Sequence, residues 1–108
     1  MSKAAYWQRG ESLDYANEGT EKIEANTVVE LTGRVGIAGT DINPGAKGDL
    51  HICGVFEFDK TGTNAITMGQ SVYYDGTGIT DTEAGNTPAG FAAAAAGAAD
   101  TKVLVKIG

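Results

Sequence analysis

Along this chain apolar residues recur in short runs that alternate with polar ones, and glycine interrupts almost every run. Alternation with period two marks half-buried β-strands, and no stretch shows the 3.6-residue apolar period of an amphipathic helix. The pattern predicts strands at Ser12–Ala16, Thr27–Leu31, Val35–Ala38, Asp49–Phe58, Ser71–Tyr74, Ile79–Asp81, Gly90–Ala95 and Lys102–Ile107. Turn chemistry separates them. In Asn43-Pro44-Gly45 the proline presets φ and the glycine accepts a positive φ, and Asp75-Gly76-Thr77-Gly78 suits a tight hairpin.

The alanine run Ala92 to Ala96 reads two ways. Alanine has the best intrinsic helix propensity, yet five residues before Gly97 are too few for a stable isolated helix and both flanks read as strand. Strand is the expectation, and its small side chains would let another backbone approach closely.

The chain also resembles itself. The segment Ile23 to Gly33 lays over Ile66 to Gly76, each reading as isoleucine, turn, β-run and glycine. Chance likeness between short β-runs is the competing account. The expected fold is all-β: a small compact β-barrel or β-sandwich of about eight short strands, built from two related β-units. The expected organisation is a flexible N-terminal arm, residues 1–12, and a single β domain, residues 13–108.

Composition narrows the function. The 108 residues suit one domain without room for a separate catalytic one. The apolar content is 42%, but much of it is alanine and 16 residues are glycine, so the core is thin and burial against identical copies or a partner is expected, with oligomerisation the default. A formal charge of −6, with Lys3, Arg9, Lys22, Arg34, Lys47, Lys60, Lys102 and Lys106 scattered, opposes binding to a phosphate backbone. No nucleic-acid partner is expected. Residues 1–11 lack the apolar core of a secretory signal. The stretch Ala89 to Ala99 is too short to span a bilayer, so no membrane partner is expected. One cysteine, Cys53, forms no internal disulfide and reads as a small buried hydrophobe, in keeping with synthesis in a reducing cytoplasm.

Catalytic chemistry is sparse. Asp49, His51 and Cys53 would share one face of a strand, but three ligands from one short strand cannot surround a metal, and no second histidine or cysteine completes a site. The nearest phosphate-loop match, Gly54 to Thr61, puts Asp59 where the second glycine is needed and reads as a strand running into a turn. Glu11, Asp14, Glu18, Glu21 and Glu24 lack the pattern of a calcium loop and read as a solvated acidic face. No catalytic residue, cofactor or metal is expected. The aromatic pair Tyr6 and Trp7, with Arg9 nearby, is either an anchor for a partner or a cap on the domain's own core.

The order and spacing of several short motifs carry a resemblance to a known family. They are Gly10-Glu11 with Leu13-Asp14-Tyr15 and Asn17; Val28-Val29 with Leu31; Val35-Gly36-Ile37-Ala38 with Thr40-Asp41-Ile42 and Gly45; and Gly48 through Glu57. They continue with Gly69, Val72-Tyr73 and Asp75, then Gly85-Asn86-Thr87, Gly90, Ala92 and Val103 to Val105. Over nearly its whole length the chain resembles the capsid cement, or decoration, proteins of bacteriophage heads, some of which carry the older label of predicted phage recombinase. The resemblance implies a non-enzymatic structural protein of the virion that binds the major capsid protein on the outer capsid surface, commonly as a homotrimer. Tyr6, Trp7 and Arg9 become candidate capsid-contact residues. It brings no catalytic residues, and the failed phosphate-loop match and acidic charge oppose the recombinase label. Asn26 stands where the family usually has glycine, and asparagine tolerates the positive φ such a turn requires. The alternatives are a tail or fibre accessory module of the virion and, further off, a small enzyme or recombination factor.

Overall fold

In a computed structural model that describes all 108 residues, the chain is all-β, with nine strands in two antiparallel sheets and no helix. The first sheet holds β1 (Ser12–Ala16), β2 (Val28–Leu31), β3 (Arg34–Ala38) and β4 (Lys47–His51) in the order β1-β4-β3-β2. The second holds β5 (Val55–Asp59), β6 (Ser71–Tyr74), β7 (Ile79–Thr80), β8 (Thr87–Ala92) and β9 (Lys102–Lys106) in the order β5-β9-β8-β6-β7. The sheets pack as two layers in a molecule of 42 × 41 × 23 Å and do not close, so the barrel alternative is corrected to an open two-sheet arrangement.

The strand expected over Asp49–Phe58 is two strands in different sheets. Gly54, at φ 113°, turns the chain between them. Its carbonyl accepts from the Ile107 amide at 3.0 Å, so the crossing is anchored to the end of β9. The strand expected over Gly90–Ala95 lies at Thr87–Ala92 instead. After Ala92 the backbone bends, and Ala96 forms a lone antiparallel bridge with Ile66. Strand pairing, through the Ala92 amide to the Gln70 carbonyl at 2.9 Å, overrides alanine's helix propensity here.

The internal likeness extends across the whole domain. The bridge Ile23↔Ile42 in the first half has its counterpart in Ile66↔Ala96 in the second. The Asn26 amide donates to Ala38 and the Ala38 amide to Thr27; Gly69 donates to Ala92 and Ala92 to Gln70. β1 pairs with β4 from Ser12↔His51 onward, as β5 pairs with β9 from Val55↔Lys106 onward. β1, β2, β3 and β4 therefore correspond to β5, β6, β8 and β9. The hairpin strand β7 and the loop after it are the addition in the second repeat.

Three bridge residues, Ile23, Ile42 and Ile66, lead into turns of one kind. Amides of Thr27, Ala46 and Gln70 donate to the carbonyls of Glu24, Asn43 and Thr67 at 3.0–3.2 Å, and the third residues, Asn26, Gly45 and Gly69, have φ of 72°, 80° and 88°. These are type II turns, which need positive φ at that position. Asn26 adopts it without glycine.

The two repeats are stacked in the same sense rather than face to face. Residues directly opposite in an antiparallel pair share a face. On the first sheet one face therefore carries Leu13, Tyr15, Val29, Gly36, Ala38 and Leu50, with Ile42 over Gly48. The matching face of the second sheet carries Phe56, Phe58, Val72, Gly90, Ala92, Val103 and Val105. The second of these faces builds the main core with Ile66 and Ala96, and its lid is Val35 and Ile37 from the back of β3. Across the same contact, Thr87 Oγ1 donates to Glu30 at 3.0 Å.

Candidate functional site

Binding to a partner would use the groups that folding leaves uncovered. Residues 1–9 form no regular structure and every one is exposed. Tyr6 is 83% and Trp7 90% accessible, and Arg9 is likewise exposed, so neither ring caps the domain's own core. Ser12, placed in the arm by the sequence, already pairs with His51 in β1. These N-terminal residues thus lead straight into an edge strand, whose free side presents unpaired backbone groups.

Three apolar side chains stand on the outward face of the five-stranded sheet. Val55, Phe91 and Leu104 are all exposed, and they are linked by register through Val55↔Lys106, Phe91↔Lys106 and Glu57↔Leu104. The Lys106 ammonium lies 5.9 Å from the Phe91 ring centre, within cation–π range. On the far side of the molecule Leu13 is exposed, with Tyr15, Ile23 and Leu31 half-buried beside it. No sequence signal short of the strand register groups either set.

A cleft of about 480 Å³ opens where the sheets diverge, lined by Val28, Ile37, Phe56, Phe58 and Tyr74 with Asn26, Asp59 and Lys102 at its polar side. Lys102 and Asp59 form an ion pair there, which raises the Lys102 pKa. Tyr74 also has a raised pKa, chiefly through desolvation and then through the nearby charge of Glu30. Both groups keep their usual charge at neutral pH, and neither is poised for proton transfer.

The residues weighed for catalysis are dispersed. Asp49 and His51 share a face of β4, but Cys53 lies beyond the strand end, which corrects the three-residue row. His51 packs 6.0 Å from Phe56, and the Cys53 thiol contacts the Glu11 carbonyl at 3.9 Å. No three His, Cys, Asp or Glu side chains converge. In the phosphate-loop candidate, Lys60 is buried at the end of β5, where its ammonium donates to the Gly62 and Ala98 carbonyls at 2.7 and 3.3 Å. It is a structural clamp, and Asn17 fills the corresponding place in the first repeat, donating to Glu21 and Ile42 carbonyls at 2.7 and 2.9 Å. Glu11, Asp14, Glu18, Glu21 and Glu24 are all solvent-exposed.

Comparison with known proteins gives one assignment. A family model described as phage cement protein matches residues 7–107. No curated protein and no solved structure matches the chain.

Proposed function

The chain belongs to the phage cement protein family, and from that premise we propose that it decorates the outer surface of an assembled bacteriophage head, binding the major capsid protein as a homotrimer and stabilising the shell. The observation that carries this reading is the arm: Tyr6, Trp7 and Arg9 lie uncovered on a segment with no packing role in its own domain. Large amphipathic rings and arginine are the residue types that dominate binding hot spots. An extended arm joined to an edge strand is suited to adding a strand to a neighbouring sheet.

Cementing follows from linkage. A ligand that binds the expanded shell and not its precursor or dissociated subunits shifts the equilibrium toward the shell by mass action, and copies held together multiply the effect. No step requires a cofactor or catalysis, and nucleic acid plays no part. The protein is made in the host cytoplasm and finishes on the virion.

The test is co-sedimentation of the purified protein with expanded, undecorated heads. Saturable binding is expected, with amides of residues 1–12 gaining protection from hydrogen exchange on the head. A Trp7→Ala, Tyr6→Ala variant should keep its fold and bind at least tenfold more weakly. Identical amide exchange in free and bound protein would remove the arm from the contact, and absence of binding would remove the capsid role.

A further inference from the structure

The stacking of the two repeats leaves each with one matching surface unused. In the second repeat, the front face that carries Phe56, Phe58, Tyr74 and Ile66 is covered by the back of β3, and Ile37 is part of the cluster that fills it. The first repeat has the same front face, with Leu13, Tyr15, Leu31 and Ile23 at the corresponding positions; its centre, Val29, Ala38, Ile42 and Leu50, is buried, but this rim is left partly uncovered. Leu13 is 40% accessible where its counterpart Phe56 is half-buried, and Tyr15 and Ile23 are half-buried where Phe58 and Ile66 are buried. Conversely, Phe91 occupies in the second repeat the place that Ile37 holds in the first. Val28↔Ile37↔His51 is matched by Ser71↔Phe91↔Lys106. Ile37 is 4% accessible and Phe91 is 41%.

We infer that copies of this chain associate front to back, Phe91 and Leu104 on the back of one copy's second repeat covering Leu13, Tyr15 and Leu31 on the front of the next copy's first repeat. The contact between repeats within one chain is the template, so the occupant of each free surface is a second copy. The side chains at the two surfaces support it. His51 meets Phe56 within the chain at 6.0 Å, and the intermolecular counterparts are Lys106, with a long aliphatic stem, and Leu13. Because the two surfaces differ, the contact is heterologous, and successive copies either close into a ring or continue as a fibre. The inference deepens the homotrimer reading: a closed ring of three chains would present six repeats in sequence, each covering the next.

A heterologous contact makes a prediction that a two-fold one does not. Phe91→Glu damages only the back and Leu13→Glu only the front, and both sites are exposed enough to accept the change without unfolding. By sedimentation velocity, the unaltered protein is expected to be a closed oligomer and each variant a monomer with unchanged circular dichroism. Mixed one to one, the variants are expected to form a two-chain complex, since the intact front of one meets the intact back of the other. An oligomer that survives either substitution, or a mixture that stays monomeric, overturns the interface and leaves the decoration reading to be judged on head binding alone. A wild-type monomer at all concentrations overturns it as well. Oligomers abolished by Phe91→Glu but untouched by Leu13→Glu would assign a two-fold, back-to-back contact instead.

Discussion

Glycines in this chain differ sharply in what they permit, as Gly90 and Gly33 show. Gly90 sits in β8 at φ 131°, and a Cβ there would lie 2.0 Å from the Lys106 carbonyl oxygen. That atom belongs to the backbone of β9, so relief requires separating two paired strands. Gly33, between β2 and β3, has φ 77° but open space around it. Gly33→Ala should cost roughly 1–2 kcal/mol for left-handed strain alone, whereas Gly90→Ala should exceed about 4 kcal/mol or prevent folding. Urea denaturation of both variants checks the contrast, and similar losses would contradict the steric account. Asp75 works through charge. Its carboxylate accepts from Thr61 Oγ1 at 2.7 Å and from the Gly78 and Thr77 amides at 2.9 Å, which holds its pKa below the ordinary 3.8. A lowered folded-state pKa contributes stability above the unfolded value and loses it as pH falls through the folded one. Wild type should therefore be more stable than Asp75→Ala at neutral pH, with the gap narrowing below about pH 4. A gap that is unchanged at pH 2 in thermal melts would show that the charge is not involved.

At the level of elements, each repeat is closed by a buried polar side chain at the end of its first strand. Asn17 ties β1 to the loop that carries Glu21 and to the bridge residue Ile42. Asn17→Ala would strip two carbonyls of their donor in a buried place, a loss of about 1–3 kcal/mol. The same assay should show that Glu18→Ala, on the exposed neighbour, changes stability by less than about 0.5 kcal/mol. Turns and most strand positions were legible because proline, glycine and asparagine announce their own φ. The crossing at Ile52-Cys53-Gly54 was not, since an apolar run continues through it and only the positive φ at Gly54 separates two strands. The alanine run concealed a bridge, because Ala96 in the second repeat does with a methyl group what Ile42 does in the first. Tyr6 and Trp7 could be singled out by composition. The two uncovered faces could not, since membership of a face depends on register, and Phe91 and Leu104 are far apart until β8 and β9 pair.

For the molecule as a whole, the sharing of one core between repeats decides how it unfolds. Val35 and Ile37 belong to the first repeat by sequence but to the cluster of Phe58, Ile66, Val72, Val103 and Val105 by packing. Removing three carbons at Ile37 opens a cavity under the second sheet, and about 2–5 kcal/mol is the usual loss for such a change. If the repeats were separate folding units, Ile37→Ala would weaken only part of the structure. Because it removes the lid of the larger core, it should lower the unfolding midpoint of the entire domain. Tyr15 in the first repeat and Tyr74 in the second, each replaced in turn by a fluorinated tyrosine, should report one shared transition in both the parent and the variant. The same logic predicts that residues 55–108, expressed alone, would expose the front of the second sheet and fail to fold cooperatively. Adding residues 1–54 in trans should restore the transition. A stable, cooperatively melting second half would show that the lid contributes little, and with it the within-chain template for association between copies would lose its energetic basis.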